Sequence, residues 1–364
     1  MQINKQDVVA VVLGGPSSEA EISRVTGGAI ANALREKGYN AKEVELNPSN
    51  LINELRDMNA KVVFNAVHGM YGEDGRLQSI LEAAGIPYTG CGVLASAVSM
   101  DKSATKRYLQ SAGIPTAPCM IINKRDAGDL QALAEKIISE FGLPVVIKAA
   151  TQGSSIGVVI PKTAEEVVPA LEEAFKYSEN VLAEKIISEF ALPVVIKAAT
   201  QGSSIGVVIP KTAQEVVPAL EEAFKYSENV LAEKCIKGKE LTISIMEENG
   251  EPKPLPVIWI APHSGAYDFH SKYTKGATDY HCPAPFDEKT TAYIQKIAVE
   301  TYKLLGLSGV ARVDAMLGDK DGVAYVLEAN TVPGMTATSL VPKAAAAVGI
   351  SFPELCEKIL LSAK

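Results

Sequence analysis

Apolar residues recur along this chain in two rhythms. The first is a short, unbroken run that stops at glycine: Asp7 to Leu13 (DVVAVVL) halts at Gly14-Gly15, and Lys61 to Val67 (KVVFNAV) halts at His68-Gly69. Runs of this length, rich in valine, are strands buried on both faces. Between them Ser23 to Lys37 reads as a helix. Strands separated by helices predict a doubly wound parallel sheet whose ligand site lies at the strands' carboxyl ends. Gly14, Gly15, Glu19 and His68 fall there.

The second rhythm is helical. From Asp126 to Phe141 the apolar positions are 130, 133, 134, 137, 138 and 141, one face of a helix that Gly142 would stop. The strand PVVIKAA follows, then the turn TQGSS and the strand IGVVI. Thr163 with Glu166 then forms a capping box for another helix, and the strand VLAEK closes the unit. From Cys235 onward ELTISIM, PVIWIA, ARVDAML and AYVLEAN read as strands before a Gly/Ala-rich helical tail. This last part predicts a mixed α+β domain. The boundaries expected are 1–89 for the N-terminal α/β domain, 90–232 for the central domain and 233–364 for the C-terminal domain.

The central region contains a repeat. Residues 133–185 recur at 182–234, offset by 49, and only two of 53 aligned positions differ, Gly142/Ala191 and Glu165/Gln214. Two near-identical copies point to a recent tandem duplication, an engineered one or a sequence-assembly error rather than to a solenoid, whose repeats are usually diverged and more numerous. Without one copy the chain would be 315 residues long. Copy one continues the upstream helical stripe and keeps Gly142. Copy two alone runs on into CIKGKE. Since the copies match, a 49-residue surplus is expected to leave through a surface loop near Lys162 or Tyr177.

Composition changes little in this picture. The 364 residues suffice for two or three domains, and 35 Lys and Arg against 43 Asp and Glu give a net charge of −8. That sign argues against a nucleic-acid binder. Five cysteines without CxxC spacing suggest a reducing compartment, and no apolar window is long enough for a membrane span. A cytoplasmic protein with no membrane partner is the expectation.

The chemistry concentrates near the C-terminus. Asp314, Glu328 and Asn330 stand at the ends of two strands joined through Gly318 to Gly322, and Glu328 and Asn330 share a face. Three oxygen donors on one side suit Mg²⁺ carrying substrate phosphates, and a solvated polar face is the other reading. The apolar residues between them make both strands look central to a sheet. Arg312 shares the face of Asp314, either to hold a carboxylate or developing oxyanion or to pair with Asp314. TQGSS, with Lys148 just before it, has the freed N–H groups, hydroxyls and ammonium of a phosphate cradle, or is a polar hairpin turn. Neither a Walker A sequence nor GxGxxG occurs.

Eight motifs stand in order along the chain: GGPSSEAEIS, AVHGMYGEDG, YTGCGVLASAVSMDK, LPVVIKAATQGSS, VLAEKCIKGKE, KYTKGATDYHCPA, GVARVDAML and VLEANTVPGMTATSLVP. In that order and approximate spacing the chain resembles the D-alanine:D-alanine ligases of the ATP-grasp superfamily. The resemblance implies a three-domain ATP-grasp fold and an ATP-dependent enzyme joining two D-alanines through an acyl phosphate, for peptidoglycan precursor synthesis. It implies Mg²⁺ or Mn²⁺, two ions, on Asp314, Glu328 and Asn330, and a homodimer. Lys102 and Lys148 would grip phosphates and Ser154 and Ser155 cap the γ-phosphate, with Lys197, Ser203 and Ser204 as the spare set. Glu233, Lys234 and Ile236 would frame adenine, and Glu240 the ribose. Glu19 would hold the first D-alanine's amino group with His68 nearby, and Arg312 with the Gly334 backbone would serve the tetrahedral intermediate. Ser339 and Leu340 would hold the second carboxylate, and Lys272 and Tyr273 match a mobile loop. The alternatives are a ligase making D-Ala-D-lactate or D-Ala-D-Ser, and an ATP-binding relic impaired by the duplication.

Overall fold

The computed structural model of the 364-residue chain describes residues 2–17, 19–116, 120–123, 135, 146–149, 158–159, 163–177, 180–184, 194–198, 230–234, 236, 238–263, 276–336 and 339–364. The helix expected over Asp126 to Phe141 lies outside them, as do the TQGSS turns. By its contacts the chain divides into one unit of residues 1–116, 238–261 and 279–364 and a second of 117–237 and 262–278.

The first unit opens with a three-stranded parallel sheet. Strands β1 (Val8–Leu13) and β3 (Ala60–Asn65) are the two valine-rich runs, and β2 (Asn40–Glu45) pairs on the other side of β1. The sequence NAKEVE of β2 gave no such signal, because only Ala41 and Val44 are buried and the strand forms the sheet's edge. Helices α1 (Ala20–Glu36), α2 (Leu51–Asp57) and α3 (Arg76–Ala84) connect and flank these strands. Ala10, Val12, Val44, Val63, Leu51, Leu55, Leu77 and Leu81 form their core. Helices α4 (Val93–Met100) and α5 (Lys102–Ser111) follow.

In the second unit β4 (Met120–Asn123), β5 (Val146–Ala149), β6 (Val158–Val159) and β7 (Asn180–Glu184) make an antiparallel sheet in the order β4-β7-β5-β6, with α6 (Ala164–Tyr177) beside it. The Thr163 N–H donates to Glu166 Oε2 at 3.4 Å, as the capping box requires. Strands β8 (Val194–Ala198) and β9 (Val230–Lys234) pair antiparallel by themselves. Both copies of the repeat thus build the same strand pair in the same register: Val146 opposes Glu184 in one, Val195 opposes Glu233 in the other.

The first unit resumes with a six-stranded sheet of β10 (Gly238–Glu248), β11 (Glu251–Pro254), β12 (Ile258–Pro262), β13 (Thr278–His281), β14 (Val310–Gly318) and β15 (Ala324–Asn330), ordered β13-β12-β10-β14-β15 with β11 on β10. Helix α7 (Glu288–Leu304) covers one face with Ile294, Ile297, Ala298 and Tyr302, against Leu241, Ile243, Val313 and Val326. Helices α8 (Leu340–Ala346) and α9 (Phe352–Leu361) end the chain. Strand β14 is central as expected. Strand β15 is instead terminal in this sheet, and its apolar residues are explained by α7 on one face and the 115–116 segment along its edge, where Val326 N–H donates to the Pro115 carbonyl. Among the described residues no helix is long and apolar enough to cross a membrane.

Helix α9 is tied to the N-terminal sheet region through Glu357. Its carboxylate pairs with Lys37 and Lys5, each at 2.8 Å, and accepts from the Tyr39 hydroxyl. Those partners, Lys37 foremost, pull the Glu357 carboxyl down to about 2 from 4.5. Its contribution to stability is therefore whole above pH 4.5 and fades as pH falls through about 2. Glu357→Gln is expected to lower the melting temperature by ~2 °C at neutral pH, since exposed pairs are weak. Thermal melts should show that gap narrowing below pH 4.5.

Candidate active site

The acidic face forms as the sequence expects. Strands β14 and β15 pair antiparallel with Asp314 opposite Glu328 and Arg312 opposite Asn330. A register shift between Asp314 and Ala315 absorbs Leu327 and leaves Glu328 and Asn330 on the Asp314 side. Arg312 forks onto Asp314: Nε donates to Oδ1 at 2.9 Å and Nη2 to Oδ2 at 2.8 Å. Asn330 Nδ2 donates to Oδ2 at 2.9 Å, and Thr242 Oγ1 to Oδ1 at 2.6 Å. Thr242, fully buried on β10 directly across from Asp314, escaped sequence reasoning. Its only signal is a hydroxyl amid the apolar residues of ELTISIM.

Lys102, at the start of α5 and nearly buried, brings its ammonium to 3.6 Å from Glu328 Oε2. Two cations thus face two carboxylates in a recess where Asp314 is only 14% exposed. Among the described residues no three His, Cys, Asp or Glu form a metal cluster, so the donor set is two carboxylates completed by the Asn330 amide. That all-oxygen set fits a hard divalent cation such as Mg²⁺ or Mn²⁺, provided the amide turns its oxygen inward.

Glu19 and His68 lie on two loops at the carboxyl ends of β1 and β3. Glu19 is the residue before α1 and is buried. His68, also buried, shares a hydrogen bond of 3.1 Å between Nε2 and Thr26 Oγ1, with Glu73 3.5 Å from Nδ1. The loops touch at Gly69, whose φ is +70°. A Cβ there would stand 2.5 Å from Ser17 Oγ and 2.9 Å from Glu19 Oε2, so only glycine permits this approach. The first loop rests on Glu45: Gly15 N–H donates to it at 3.1 Å, and Arg24 grips it and holds its carboxyl below the usual range.

A small cavity is lined by Asn65 and Ala66, just before His68, together with Thr331, Val332, Pro333 and Met335 after Asn330. The end of β3 and the loop carrying Gly334 are therefore neighbours. Ser339 precedes α8. Its hydroxyl lies 2.8 Å from Thr336 Oγ1 and accepts from Thr336 N–H, and a Cβ on Gly334 would sit 3.1 Å from it. Leu340 is buried behind it.

The residues expected on the ATP side fall in both units. Lys148 is on β5 and Lys197 on β8, Glu233 and Lys234 are on β9, Ile236 follows, and Glu240 is on β10. Ser154, Ser155, Ser203, Ser204, Lys272 and Tyr273 lie outside the described residues. The strand of Lys197 is hydrogen-bonded to the strand of Glu233 and Lys234, whereas the strand of Lys148 pairs with that of Glu184.

The first unit thus carries a parallel sheet with two loops meeting at its strand ends and an antiparallel sheet bearing paired carboxylates, an arginine and a lysine. Residues 42–91 match the family described as D-ala D-ala ligase N-terminus, and 108–191 and 183–361 each match D-ala D-ala ligase C-terminus, the two matches overlapping at 183–191 within the repeat. The D-alanine--D-alanine ligase of Pelotomaculum thermopropionicum is 41% identical over 97% of this chain and 95% of its own length; that of Moorella thermoacetica is 40% identical over 97% of each. The crystal structure of the Bacillus anthracis D-alanine--D-alanine ligase superposes with a TM-score of 0.70 at 30% identity, covering 98% of this chain and 97% of that one. The same enzyme complexed with ATP gives 0.69 at 29% identity, covering 99% and 97%. The chain belongs to the D-alanine--D-alanine ligase family.

Proposed function

We propose that this chain uses ATP to join two D-alanines into D-alanyl-D-alanine, releasing ADP and phosphate. The observation that carries the reading is the convergence of Arg312, Asp314, Glu328, Asn330 and Lys102 on one recess of the first unit. ATP phosphorylates the first D-alanine's carboxylate, the amine of the second attacks the acyl carbon, and phosphate leaves. Glu19 holds the first ammonium beside His68, and Ser339 with the N–H of Leu340 holds the second carboxylate. Arg312 with the Gly334 backbone stabilises the oxyanion. Lys102 neutralises phosphate charge. Asp314, Glu328 and Asn330 are the residues to hold the divalent ions, two of them in this reading, which supply charge neutralisation on the transferring phosphoryl group. Lys272 and Tyr273 are proposed to exclude water from the acyl phosphate.

The strand pairing favours Lys197, with Ser203 and Ser204, over Lys148, with Ser154 and Ser155, as the phosphate grip. Glu233 and Lys234 frame adenine from the strand bonded to that of Lys197, and the chain runs on from there through Ile236 to Glu240 at the ribose. The enzyme is proposed to act as a cytoplasmic homodimer, with a three-domain division at 1–89, 90–232 and 233–364. D-alanine-dependent phosphate release from ATP, with D-lactate and D-serine offered as competing acceptors, tests the reading. D-alanine should be the preferred acceptor, and release that ignores D-alanine would refute it.

A further inference from the structure

Helix α1 is pressed onto the end of β1 so tightly that a Cβ on Gly27 would stand 2.7 Å from Leu13. On the same face, Ser23 is fully buried. Its hydroxyl accepts from the Gly14 N–H at 2.8 Å and donates to the Ala66 carbonyl at 2.7 Å. Its own N–H donates to the Glu19 carbonyl at 2.9 Å. One residue thus bonds the loop leaving β1, the segment two residues before His68, and the backbone of Glu19. Thr26, three residues on and also buried, bonds His68 itself. Both bonds of the Ser23 hydroxyl are short and are made by a fully buried side chain, so they are shielded from water. A hydroxyl with one donor and acceptor lone pairs is suited to this double task.

Resting on the ligase reading above, we propose that Ser23 is a positioning residue for the first D-alanine. It sets the spacing between Glu19 and His68 by cross-linking their loops, without touching the substrate. Removing it frees the Gly14 N–H and the Ala66 carbonyl and lets the loops drift apart. Misplacement of a binding group by a fraction of an ångström weakens binding of the small substrate that spans it, and leaves ATP binding alone.

The test is steady-state kinetics of the full chain. Ser23→Ala is expected to raise KM for D-alanine about tenfold and to leave KM for ATP within about twofold of wild type. In a Glu19→Gln background the same change should add less than about twofold, because Ser23 acts through Glu19. Ser23→Cys keeps nearly the same volume with a weak donor and acceptor, so it should fold and still raise KM for D-alanine. Leu34→Val, equally buried farther along α1, should lower the melting temperature with both KM values unchanged. An unchanged KM for D-alanine in Ser23→Ala and Ser23→Cys, or a parallel rise in KM for ATP, would overturn the proposal. A wild-type chain that releases no phosphate in response to D-alanine would overturn the ligase reading, and this inference with it.

Discussion

Asp314→Asn is expected to lower kcat for dipeptide formation by about 10³ while the protein stays folded. Asp314 accepts four hydrogen bonds, two from Arg312 and one each from Asn330 and Thr242. An amide of the same shape keeps an acceptor on one side and turns two N–H donors toward donors on the other. It also removes the charge that the Arg312 guanidinium and a divalent ion would share. Asp314→Ala should go further and unfold more easily, by about 3 kcal/mol, because it leaves a largely buried Arg312 without its counter-charge. Comparing thermal melts with kcat separates the two effects. An Asn variant keeping more than about a tenth of wild-type kcat would remove Asp314 from the chemistry.

The second large effect distinguishes the repeat copies. Lys197→Ala is expected to raise KM for ATP by about 10²-fold, the loss of one charge-assisted contact to phosphate at roughly 2–3 kcal/mol. Lys148→Ala should change it by less than about threefold. The asymmetry arises because only β8 is bonded to β9, the strand that carries Glu233 and Lys234. Strand β5 is bonded to β7, after which the chain reads IISEFA instead of CIKGKE. Loss in Lys148→Ala alone would return the phosphate grip to copy one, and equal losses would mean that both copies hold nucleotide.

The parts of this fold that were legible are those whose signal is local. The valine runs of β1 and β3 end at glycine within a few residues of where hydrogen bonding ends, and the parity of Glu328 and Asn330 survives the extra residue at Leu327. What escaped depends on partners distant in sequence. Strand β2 is an edge strand with two buried side chains, Thr242 acquires meaning only from its position across from Asp314, and Ser23 only from Gly14 and Ala66. The apolar pattern of β15 suggests a central strand because coverage by α7 and by Pro115 leaves the same trace in sequence as coverage by a strand. The repeat is plain in the sequence, yet the pairing within it is not. Identical strands carry identical patterns, and only the observed registers show that Val146 pairs with Glu184 and Val195 with Glu233, each within its own copy.

The cluster at β14 and β15 and the paired loops of Glu19 and His68 are proposed to serve one reaction, the ATP-dependent joining of two D-alanines. The stoichiometry of the full 364-residue chain with ATP, Mg²⁺ and D-alanine tests that most directly. One D-alanyl-D-alanine should form for each ADP and phosphate released, and omission of D-alanine should stop all three. ADP formed without dipeptide, or at a rate indifferent to D-alanine, would contradict it.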